Sequence, residues 1–79
     1  SGGDDEVTVY PNPSTGTFNI SSTSLIEKIE IVDAYGKLVM SQKPGFDNKI
    51  DLTKYPTGVY FLKVTPNVGS ASLHKLIIR

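Results

Sequence analysis

The chain has 79 residues, 38% apolar content, no cysteine and a formal charge of zero from eight basic and eight acidic side chains. That length allows one small domain, and such a domain buries only ~60% of the surface its unfolded chain exposes, so its core is thin. The balanced charge argues against nucleic acid or an anionic membrane as the main partner, disulfides are excluded, and no apolar run approaches the ~20 residues of a membrane helix.

Residues 1–6, "SGGDDE", read as a flexible linker end or an expression remnant followed by a solvated acidic approach, not as a signal peptide. The folded part then starts at residue 7, and the whole reads as a module from the end of something larger. Charge is uneven along it: residues 1–33 hold six acids and one base, residues 34–79 two acids and seven bases. Strands from both halves interleave in a sheet, so these charges are expected to cancel on solvated faces.

The next stretch, Val7 to Ile20, sets a puzzle. Val7, Val9, Phe18 and Ile20 favour strand, yet Pro11 and Pro13 stand between them and lack the N–H a sheet ladder needs. The pattern predicts a first strand ending at Tyr10. The two prolines then carry the chain out of the sheet in an extended conformation and blunt the strand's edge, and Ser14-Thr15-Gly16 turns it back.

Strands are expected at about 7–10, 16–20, 27–33, 37–42, 47–52, 58–65 and 71–78. In residues 27–33, Ile29 and Ile31 alternate with Glu30, which favours strand over helix. Asp33-Ala34-Tyr35-Gly36 reads as a hairpin turn in which Gly36 supplies positive φ. Pro44-Gly45 marks another turn. Pro56 and Gly58 shape a tight lead into the sixth strand, whose Tyr60 reads either as a tyrosine corner or as an ordinary core tyrosine. The last strand closes on Leu76, Ile77, Ile78 and Arg79, an apolar run with one terminal charge. It is either buried on both sides or a strand presented to a partner by strand addition.

Short strands rich in Val, Ile, Tyr, Phe and Thr, with turns at regular intervals, predict an all-β, antiparallel, immunoglobulin-like sandwich of about seven strands. The expected inward set is Val7, Val9, Phe18, Ile20, Ile29, Ile31, Leu38, Met40, Ile50, Leu52, Tyr60, Leu62, Val64, Leu73 and one parity of the last strand. Such a set covers two sheets facing each other about 10 Å apart.

Chemistry is poorly supplied. His74 is the single histidine and stands beside Lys75 in a strand, without the orienting group and oxyanion site a triad requires. Asp47, Asn48 and Asp51 could offer oxygens to calcium but lack the spacing of a dedicated loop, and Asp4-Asp5 is a trivial carboxylate pair in the linker. Asn19-Ile20-Ser21 matches a glycosylation sequon inside a strand. Tyr10, Tyr35, Tyr55 and Tyr60 are the candidates for a sugar platform. The residues predict no enzyme, cofactor or metal.

Several motifs then coincide. "VYPNPSTGTFNI", "IEIVDAYGKLV", "IDLTKYPTGVYFLKV" and "HKLIIR" occur in this order across residues 7–79. Together they resemble the C-terminal sorting domain of the type IX (Por) secretion system of Bacteroidetes. One departure is Tyr55, where the family usually has Leu before Pro. The resemblance implies a folded label that directs a cargo protein from the periplasm across the outer membrane to the cell surface or beyond. It implies as partners the type IX translocon, its outer-membrane shuttle protein, and a sortase-like peptidase that removes the label near the linker around Gly2, Gly3, Asp4, Asp5 and Glu6. It implies a monomer that neither spans the membrane nor binds nucleic acid. Under it Lys75, Leu76, Ile77, Ile78 and Arg79 are the expected recognition residues, while Tyr10, Pro11, Asn12, Pro13, Gly16, Gly36, Gly58 and Tyr60 are expected to be architectural. The rival readings are a carbohydrate-binding module and a structural immunoglobulin-like spacer of a secreted protein.

Overall fold

A computed structural model describes residues 7–43 and 47–79. The linker at 1–6 and the Pro44-Gly45 turn therefore lie outside the described residues. Seven strands follow one another: β1 (Val7–Tyr10), β2 (Thr17–Ser22), β3 (Ile26–Asp33), β4 (Leu38–Gln42), β5 (Asp47–Asp51), β6 (Gly58–Pro66) and β7 (Ser72–Ile78). They form a three-stranded sheet, β1-β2-β5, and a four-stranded sheet, β4-β3-β6-β7, antiparallel throughout. This is the expected all-β sandwich. Each sheet joins strands from both halves of the chain, as the interleaving of charge required.

Alternation places one side of every strand inward. Phe18, Ile20, Ile50 and Leu52 come from the smaller sheet and its exit; Ile26, Ile29, Ile31, Tyr60, Leu62, Val64, Leu76 and Ile78 come from the larger. Val7, Val9, Val39, Met40 and Tyr55 pack around this layer.

Two members of the expected inward set lie outside. Leu38 is 53% exposed and Leu73 is 74% exposed. For Leu38 the cause is a register shift: Met40 pairs with Ile31, but Leu38 pairs with Val32, so Val39 is an extra residue in β4. A bulge of this kind breaks the period of two, letting Val39 and Met40 both reach the core while Leu38 turns out. For Leu73 the cause is parity. Leu76 and Ile78 are buried, and a residue an odd number of positions away faces the other side. The same parity puts Ile77 on the outer face. Ile26, one residue before the expected start of β3, is buried.

Local chemistry explains the turns. Gly36 has φ +88°, and Asp33 Oδ1 accepts the N–H groups of Tyr35 and Lys37, each at 2.9 Å. Tyr60 donates its hydroxyl hydrogen to the Pro56 carbonyl at 2.7 Å while its ring is buried. This is the geometry of a tyrosine corner.

Truncating Tyr60 separates its two contributions. Tyr60→Phe, which deletes only the hydroxyl, should cost ~1 kcal/mol. Tyr60→Ala should cost ~3–5 kcal/mol, close to unfolding a domain with only ~5–10 kcal/mol in hand. Denaturant titration of the two variants checks both values; equal losses would show that the hydroxyl bond is the larger contribution.

Candidate functional site

The segment between β1 and β2 answers the puzzle of the two prolines. Both the Tyr10-Pro11 and Asn12-Pro13 peptide bonds are cis, and residues 11–13 bend where the sequence predicts an extended path. The segment leaves the edge of the small sheet and lies along the outer edge of β7 in the large one. Asn12 grips that edge with both ends of its amide: Nδ2 donates to the Lys75 carbonyl at 2.6 Å, and Oδ1 accepts the Ile77 N–H at 3.1 Å. Ser14 continues the grip through its backbone. Its N–H donates to the Ile77 carbonyl and its carbonyl accepts the Arg79 N–H, both at 2.9 Å, forming a parallel bridge with Ile78. The edge covered is that of the last strand, not of the first.

Ser14 is itself buried and fully satisfied. Its hydroxyl donates to the Thr17 carbonyl at 2.6 Å and accepts the Gly16 N–H at 3.1 Å. Gly16 stands at φ +134°, and a Cβ there would come within 2.9 Å of the Thr53 backbone. The Gly16 carbonyl also accepts the Leu52 N–H at 2.7 Å. The segment thus ties β7 on one side to the exit of β5 on the other.

The five residues at the end of the chain divide by face. Leu76 and Ile78 are buried among core side chains, whereas Lys75, Ile77 and Arg79 are exposed. The clasp uses only backbone groups of Lys75, Ile77 and Arg79, so their side chains remain presented to solvent.

The other sequence candidates are dispersed. Asn48 and Asp51 stand an odd number of residues apart on β5 and so belong to opposite faces; the Asp47 side chain lies outside the described residues. Asp51 Oδ1 accepts both the hydroxyl and the backbone N–H of Thr53, which holds its carboxyl below the usual value. Asn19, on the outer face of β2, donates to the Tyr10 carbonyl at 3.4 Å. Tyr35, Tyr55 and Tyr60 border one open cleft of about 380 Å³ near the Asp33–Gly36 turn, but the hydroxyls of Tyr55 and Tyr60 are committed to the Val39 and Pro56 carbonyls. Tyr10 lines a separate hollow with Asn19 and Lys49. His74 pairs with the Ser72 hydroxyl at 2.9 Å on the same strand, and burial lowers its pKa from 6.5.

The model of the secretion system C-terminal sorting domain matches residues 8–79. The chain belongs to that family. Two relatives match as well: β-agarase D of Zobellia galactanivorans, 32% identical over 94% of this chain, and ulvan lyase NLR42 of Nonlabens ulvanivorans, 36% identical over 91%. The matches cover only 15% and 14% of those proteins, so the sorting domain spans about a seventh of the length of the curated relatives it matches. The role of the sorting domain is that of a C-terminal secretion signal.

Asn12→Ala in the sorting domain removes one donor and one acceptor from the β7 edge. The expected loss is ~1 kcal/mol, with amide exchange at Ile77 accelerated more than at Leu76. Uniform exchange across β7 would show that the amide grip is not what protects that edge. Acidity provides a second check. The lowered pKa of His74 means the unfolded chain takes up its proton first, so this group's contribution to stability is present above pH 6.5 and is lost as pH falls through the folded value. His74→Gln should flatten the melting profile just below pH 6.5, and an unchanged profile would exclude His74 as its source.

Proposed function

We propose that this sorting domain directs its cargo across the outer membrane through the type IX translocon and is then removed by a sortase-like peptidase acting at the linker before residue 7. The observation that carries the reading is the family match over residues 8–79, joined to a fold in which the final strand is clasped at its edge with its outer side chains free. On this reading the domain is a non-catalytic label comprising residues 7–79, monomeric, passing through the periplasm to the cell surface or the medium. Its partners are the translocon, the outer-membrane shuttle protein and the peptidase.

The recognition residues proposed are those from Lys75 to Arg79, and the structure supports distinct roles within them. Lys75, Ile77 and Arg79 present side chains to a partner; Leu76 and Ile78 hold the strand in the sandwich. Tyr10, Pro11, Asn12, Pro13, Gly16, Gly36, Gly58 and Tyr60 are proposed to shape the label rather than touch its receptor.

The test is export of a periplasmic reporter fused ahead of the chain in a bacterium with a type IX system. The parent fusion should reach the surface, and removal of residues 75–79 should abolish this. Lys75→Ala with Arg79→Ala should shift stability by less than ~1 kcal/mol, because both are exposed. Loss of export with melting unchanged would mean that the charges are read directly. Normal export after the deletion would remove the terminal strand from recognition.

A further inference from the structure

The two outer faces of this sandwich are chemically unlike. On the three-stranded sheet the outward positions are Thr8, Thr17, Asn19, Ser21, Lys49 and Asp51, apart from Tyr10 at the end of β1. That is the polar face an antiparallel sheet turns to water. On the four-stranded sheet the register brings Leu38, Val32, Phe61 and Lys75 into one row across all four strands, each the Cα partner of the next. The adjoining row pairs Val59 with Ile77. Leu38 is 53% exposed, Phe61 39% and Ile77 36%. Scattered exposed apolar residues are ordinary on any protein, but a contiguous patch marks an interaction surface.

Charge limits what fits there. Glu30 on this face is paired with Lys28 at 3.4 Å. Lys63, partnered across the strands with Glu30 and Leu73, and Lys75 are in no ion pair among the described residues. The face therefore offers an apolar strip with Lys63 and Lys75 beside it, neither held in an ion pair among the described residues and Lys75 with no acidic cross-strand partner.

We propose that this outer face of β4-β3-β6-β7 is the docking surface for the export receptor, and that the receptor meets it with an apolar ridge flanked by carboxylates. The proposal rests on the sorting function and enlarges the recognition site. Lys75 and Ile77 then form one margin of a surface whose centre, Val32 and Phe61, and opposite margin, Leu38, lie far away in sequence. The β4 bulge belongs to this surface, because it turns Leu38 outward to complete the row. Flanking charges fix orientation and encounter, while the central apolar anchors supply most of the affinity.

The test uses the reporter fused to the 79-residue chain. Leu38→Thr with Phe61→Thr keeps strand-forming residues at half-exposed sites, so melting should move by no more than about 8 °C, while surface delivery falls about tenfold or more. Lys63→Glu with Lys75→Glu leaves the apolar strip intact and should also reduce delivery, which keeps the proposal testable if the first pair fails to fold. Asn19→Thr on the opposite outer face should export like the parent. Parental export by both double variants would overturn the proposal. So would a parent chain that sediments as a dimer, with the Leu38/Phe61 variant monomeric and export equal in the two, because the strip would then serve a second copy. A parent fusion that never leaves the periplasm would remove the sorting function itself, and this surface with it.

Discussion

Everything in this domain hangs on a single layer of aliphatic side chains between two sheets. There is no disulfide to staple the sheets together, and a chain this short has no second core in reserve. The layer is built mainly from isoleucine and leucine, with Phe18 and the ring of Tyr60 filling the larger gaps. Because strands alternate, fixing which residues enter the layer also fixes which leave it. The outer surface of the label is thus a by-product of its core. Burying Leu76 and Ile78 obliges Leu73, Lys75 and Ile77 to face out.

Legibility in the sequence followed the distance over which the chain had to be read. Asp33 to Gly36 and Pro56 to Tyr60 are local: a turn residue, a glycine with the φ it needs, and a tyrosine four residues from its acceptor. The first could be read directly, as could the seven strands, and the second was narrowed to a tyrosine corner or an ordinary core tyrosine. Leu38 could not, because its orientation depends on an extra residue in β4 that alternation does not announce. Leu73 was legible in principle, since it cannot share a face with Leu76 at a separation of three. Ile26 was hidden by a strand start placed one residue late. The grip of Asn12 on Lys75 and Ile77 crosses 63 and 65 positions, and no local pattern encodes it. Its only trace was an asparagine held between two prolines where a strand should have continued.

The relatives set the scale of what is shared. One is named an agarase and the other an ulvan lyase, yet each matches over nearly all of this chain and a small fraction of its own length. What they hold in common with it is therefore the module itself. That suits a structure whose features are edges and faces rather than a cleft lined with reactive groups. The outside of a small sandwich is suited to a module that recurs in this way.

The clasp also carries information about time. Asn12 and Ser14 lie in the first turn, and the backbone they hold lies in the last strand. Until that strand exists, β6 has one open edge and the amide of Asn12 has nothing to grip. Non-local pairings of this kind close late, so the sandwich stays unfinished until β7 docks. Without the second half of β7 the clasp has no backbone to hold and the large sheet keeps an open edge. The closed shape is thus a record that β7 has docked, written near the other end of the fold by Asn12 and Ser14.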